Sequence, residues 1–95
     1  MVKYCKVMEL PTKAFHYGSA SASGGRWRAE RVDDWTVYVW HFDTLMVGFT
    51  FDADGYWSAR PINAGWGSQT DRRGVGDMLR FQRCQVRSYR ELYGE

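Results

Sequence analysis

Proline and cysteine are both scarce in this chain of 95 residues, with two of each. Lysine is nearly as rare: its three copies, Lys3, Lys6 and Lys13, all fall at the start. Two cysteines, Cys5 and Cys84, are too few for the disulfide framework of a small secreted domain and point to a reducing cytosol. Together with His16 and His41 they make four candidate zinc ligands. None is paired at C-x-x-C or H-x-x-x-H spacing, so neither a metal nor a cofactor is expected. No run approaches the roughly 20 apolar residues of a membrane span. Lys3, Lys6 and Glu9 interrupt the start where a secretory apolar core would lie. The glycines of segment 18–25 are not followed by the Lys-Ser or Lys-Thr pair of a phosphate-binding loop. Counted from Asp52, the fifth, sixth and twelfth positions of a calcium loop hold Tyr56, Trp57 and Asn63, so that pattern fails too.

What remains is a balanced globular composition: 44% hydrophobic, 25% charged and 17% aromatic, with five tryptophans. Such a chain makes one domain, 1–95, with enough aromatic bulk for a core. Val2 to Leu10 reads as a strand closed by Pro11. The small residues of 18–25 read as a flexible loop. Trp35–Phe42 is β-branched and aromatic throughout and reads as a strand. Asp43 and Thr44 turn the chain into a second strand, Leu45–Phe51. The Asp54-Gly55 hairpin signal leads into a third, Tyr56–Arg60. Glycines on both sides of Trp66 indicate a tight turn anchored by that side chain. Ser68 or Thr70 then caps a helix, and Asp71 complements its dipole. The expected fold is α+β: an antiparallel β-meander of three or more strands packed with a C-terminal amphipathic helix or two short helices.

On a helical wheel, Arg72, Arg73, Arg80, Arg83, Arg87 and Arg90 fall within an arc of roughly 100°. Val75, Met78, Leu79, Phe81, Val86, Tyr89, Leu92 and Tyr93 lie opposite. Six arginines against Asp77 alone leave +5 across residues 72–90, so the rest of the chain carries −3 of the total of +2. Gly74 and Gly76 each weaken a helix by about 1 kcal/mol relative to Ala. A break there would still leave Arg80–Arg90 as one stripe. Arginine forks meet phosphates and carboxylates bidentately, so the face suits a nucleic-acid backbone or an acidic protein surface. Trp27, between Arg26 and Arg28, and Trp66 are the tryptophans expected to be exposed beside it. Trp35, Trp40 and Trp57 are assigned to the core. No serine stands in a nucleophile elbow, and His41 reads as a packed strand histidine sharing a face with Asp43, so no enzyme is expected.

The segments His41–Thr44, Asp54-Gly55, Asn63–Arg72 and Val75…Leu79 resemble a group of small bacteriophage and prophage proteins. Those carry a His-x-x-Thr segment, a hairpin, a Gly-Trp-x-Thr-x-Thr turn and a short Arg-Ile-Asn-x-x-Leu helix. His41, Thr44, Trp66, Thr70, Val75 and Leu79 keep the pattern, Ser68 replaces a threonine, and Gly74 and Gly76 replace the helical Arg and Asn. The resemblance spans about half the chain, Trp35 to Leu79, and implies an accessory protein in the cytoplasm of an infected bacterium. The expected activity is binding of nucleic acid through the arginine face. The alternative is inhibition or modulation of a host protein or defence complex by that same face.

Overall fold

The three central strands are present, and the sheet they belong to continues through the first half of the chain. The computed structural model describes residues 3–94. Six strands form one sheet in chain order: β1 (Lys3–Cys5), β2 (Ser19–Ala22), β3 (Trp27–Arg31), β4 (Thr36–His41), β5 (Thr44–Phe51) and β6 (Trp57–Pro61). Only β1 and β2 are parallel; every later pair is antiparallel. Parallel neighbours require a crossover, and α1 (Leu10–Tyr17) supplies it. α2 (Gln69–Phe81) and α3 (Tyr89–Tyr93) complete the chain. None of the described helices is long and apolar enough to cross a membrane.

Two N-terminal expectations are corrected. The strand anticipated over Val2–Leu10 is confined to Lys3–Cys5, with Val2 outside the described residues. Pro11 does not close it but sits in the first turn of α1, where its missing N–H removes no helical bond. The segment 18–25 is not a flexible loop either. Gly18 caps α1 at φ +90°, and Ser19–Ala22 is a largely buried strand. Its small side chains let α1 pack closely over β2, β3 and β4.

Strand alternation divides the sheet into two faces. Trp27, Ala29, Val37, Val39, Val47 and Phe49 point inward and meet Leu10 and Ala14 of α1 and Val75, Met78 and Leu79 of α2. The other face carries Arg28, Glu30, Tyr38, Trp40, Thr50 and Arg60, all half-buried or exposed. There the Arg28 guanidinium lies 4.3 Å over the Trp40 ring. A bulge between Val39 and Trp40 leaves Met46 unpaired on β5. The Met46 carbonyl instead accepts the Ile62 and Asn63 N–H groups, each at 3.1 Å, and the Tyr93 hydroxyl at 2.6 Å. One irregular residue therefore ties both α3 and the start of the 62–68 turn to the sheet.

The C-terminal segment is two helices, but the break is not at the glycines. Gly74 and Gly76 lie buried inside α2. A Cβ at Gly74 would stand 2.2 Å from the Trp27 ring, so glycine is what lets the indole seat against the helix. α2 stops at a Schellman motif instead. Arg83 takes φ +57°, its N–H bonds to the Arg80 carbonyl, and the Cys84 N–H bonds to the Leu79 carbonyl. Cys84 and Leu79, which this motif brings together, are both buried. Burial pushes the Cys84 thiol up to about 11.

Candidate functional site

The break after Phe81 divides the arginine stripe. Gln69, Arg72, Arg73, Asp77 and Arg80 line one shallow groove along α2. Arg72 Nε donates to the Gly67 carbonyl at 2.9 Å, and its guanidinium lies 4.8 Å over the Tyr89 ring. Arg80 donates to Asp77 at 2.9 Å and to the Arg87 carbonyl at 3.2 Å. Arg83 is carried away by its left-handed backbone and lines a different depression with Tyr56, Trp57 and Ser58. Arg87 lies in the linker and Arg90 on α3, both exposed. The stripe expected to persist from Arg80 to Arg90 is thus interrupted, and the groove gathers Arg72, Arg73 and Arg80.

Trp27 is also corrected, being only 1% exposed. In β3 the alternation turns Arg28 outward and Trp27 inward, whatever the polarity of its chain neighbours. Trp35 departs from its assignment in the other direction: it precedes β4 and is exposed, while Trp40 and Trp57 are half-buried. Trp66 is 94% exposed, so its ring anchors nothing. Its backbone does, through an N–H bonded to Asp71 Oδ2 at 3.1 Å.

Asp71 is the hub of the local structure. Its Oδ2 also accepts the Ser68 N–H at 3.2 Å, and the Ser68 hydroxyl accepts the Asp71 N–H at 3.1 Å. This is a capping box with Ser68 as the N-cap. Asp71 Oδ1 lies 2.5 Å from His41 Nδ1, at the end of β4. Both residues are almost completely buried, His41 at 5% and Asp71 at 3% exposure. Burial pushes the Asp71 carboxyl up, but the hydrogen bonds from His41 and Ser68 outweigh it and hold the group below its ordinary 3.8. The ionised carboxylate is a hydrogen-bond acceptor, so Nδ1 carries the proton that bonds it. Nε2 is buried and has no hydrogen-bond partner among the described residues. The imidazole stacks on Trp27, centroid to centroid at 4.0 Å and 14° from parallel.

A cavity of about 220 Å³ opens beside this pair, lined by His41, Phe42, Thr44, Gly65, Trp66, Ser68 and Asp71. Phe42 occupies the β4–β5 turn at φ +55°, an uncommon conformation for a bulky residue, and is 61% exposed. Its ring lies 4.6 Å from that of His41. Gly65 and Gly67 both adopt φ +69°, which shapes the turn presenting Trp66.

Comparison with protein-family models, with curated proteins and with solved structures finds no match. The arrangement must be read from its own chemistry. A buried His–Asp pair is the orienting half of a nucleophilic triad, yet no serine or threonine hydroxyl is bonded to Nε2 among the described residues. Sequence reasoning missed this pair because its members lie 30 residues apart. Asp43, the carboxylate considered for His41, is exposed in the turn instead. His41, Thr44, Trp66 and Ser68, from two separate segments of the chain, line this one cavity.

Proposed function

We propose that the chain is a non-enzymatic accessory protein of an infected bacterium that binds nucleic acid along the α2 groove. The observation that supports this best is the gathering of Arg72, Arg73 and Arg80 beside Gln69, with Asp77 the single acidic side chain lining that groove among the described residues. The Gly67 carbonyl holds Arg72, and the Arg87 carbonyl together with Asp77 holds Arg80, so both guanidinium groups are fixed in direction along the groove. Arginine forks of this kind take phosphate oxygens bidentately. Three phosphate contacts give a log–log salt slope of about −2.7 on duplex and about −2 on single strands.

The test is binding of single- and double-stranded DNA and RNA across a salt series, with Arg73→Glu and Arg80→Glu combined. Affinity should fall with salt, and the double variant should bind far more weakly with a shallower slope. Absence of binding at low salt, or an unchanged slope in the variant, overturns the reading. A second reading, an acidic host protein docked on the same face, is favoured by Phe81, an exposed aromatic residue following Arg80. It predicts a host protein that is retained after nuclease treatment and lost in the double variant.

A further inference from the structure

We infer that the cavity between the β4–β5 turn and the start of α2 is a binding site for a single nucleotide. Its base would enter the space lined by His41, Phe42 and Trp66. This goes beyond the α2 groove reading and stands or falls separately from it.

The first argument is the unsatisfied nitrogen. A buried polar atom without a partner is unfavourable, and native structures keep few of them. His41 Nε2 is such an atom in a residue that lines the cavity. It accepts a hydrogen bond when the ring is neutral and donates one when the ring is protonated. A nucleobase edge presents donors and acceptors side by side, so it can answer either state.

The second argument is the pair of uncovered aromatics. Trp66 is the most exposed large hydrophobic residue among those described, and its turn is fixed by the N–H bond to Asp71. Phe42 holds an unfavourable backbone conformation while remaining mostly in solvent. Both rings line the cavity, and neither is covered by the core: Trp66 is almost wholly exposed, and Phe42, itself mostly exposed, meets the His41 ring. Stacking on such rings is the sequence-tolerant way proteins hold bases.

Size and charge restrict the ligand further. About 220 Å³ is below the roughly 300–1,000 Å³ of sites for drug-sized molecules, so one ring system is the fitting occupant. The guanidinium of Arg72 lies against Gly67, the neighbour of Trp66, through the 2.9 Å bond from Nε. Arg72 itself lines the neighbouring α2 groove and not the cavity, so its positive charge lies beyond the Trp66 turn, in the direction a phosphate attached to the bound nucleoside would extend.

The experiment is an NMR titration of the full chain with the 5′-monophosphates of adenosine, guanosine, cytidine and uridine, with ribose 5-phosphate as the base-free control. At least one nucleotide should shift the Trp66 indole N–H and the His41 ring signals saturably, and ribose 5-phosphate should not. Trp66→Ala should weaken binding about tenfold, the range expected for a lost base stack. Phe42→Gly should also weaken it while leaving the melting temperature equal or higher, because glycine accepts the left-handed turn. The inference is overturned if no nucleotide shifts these signals, or if ribose 5-phosphate shifts them equally. It is also overturned if Trp66→Ala binds as well as the parent. Long nucleic acid that still binds through Arg73 and Arg80 after such a failure would leave the groove reading intact.

Discussion

Trp27 and Trp66 have exchanged the roles their chain neighbours suggest. Trp27 stands between two arginines and is buried; Trp66 stands between two glycines in an apparent anchor position and is exposed. In β3 the period of two decides the matter, and Gly74 on α2 supplies the space for the indole. In the 63–68 turn, the left-handed glycines serve the backbone. They bring the Trp66 N–H to Asp71 and leave the ring outside. Both sites converge on the same buried pair, one stacking on His41 and the other bonding to Asp71. Neighbour polarity is therefore a poor guide to exposure on a strand, and a glycine turn fixes the path of the chain more firmly than the fate of its side chain.

The sharpest way to break this comparison is to truncate both rings. Trp27→Ala should cost about 4 kcal/mol in chemical denaturation. Trp66→Ala should stay within about 0.5 kcal/mol, as exposed substitutions do. Equal losses would refute the contrast. Asp71→Ala attacks the support of the Trp66 turn and leaves His41 Nδ1 and two backbone N–H groups without their partner. It should cost about 3 kcal/mol. Because the folded carboxyl ionises more readily than its ordinary 3.8, its stabilisation is complete above that value. It is lost as the pH falls through the lower folded value. Asp71→Asn should accordingly flatten the acid limb of the stability–pH curve.

On the Trp27 side, Gly74→Ala forces a methyl group into the indole. Despite the gain in helix propensity, it should destabilise by about 2 kcal/mol, read from the urea midpoint. The smallest effect lies away from both tryptophans. Arg83→Gly relieves the left-handed backbone at the end of α2 and should raise stability by about 1 kcal/mol. It should leave nucleic-acid affinity unchanged, since Arg83 does not line the groove.

Much of the second half of the fold was legible. The β-branched run around Val37 and Val39, the Asp54-Gly55 turn and the Ser68 cap are local signals, and local chemistry produced them. The first half was obscured because its signals depend on tertiary partners. Ser19–Ala22 looks like linker in isolation and becomes a strand because small side chains let α1 come close. Pro11 marks an end in a strand and a beginning in a helix. The glycines of α2 looked like breakers because their benefit, room for Trp27, comes from a residue far back in the chain. Of the candidate site, the arginines were visible and their division was not, since Arg83 gives no local warning of a left-handed turn. The His41–Asp71 pair is a long-range contact without any local pattern.

The order of strands in the sheet has a further consequence, for how the molecule meets its own copies. A sheet that does not close has two edges, and each is a template on which another chain can add a strand. Here one edge is β1, only three residues long, and the other is β6, which carries Arg60 and ends at Pro61. A short strand offers few free backbone groups, and a charged strand with a terminal proline offers poor ones. The longest strand, β5, is enclosed between β4 and β6. The sequence has thus placed its most adhesive backbone in the interior of the sheet and its least adhesive backbone at the margins, a safeguard against edge-to-edge aggregation.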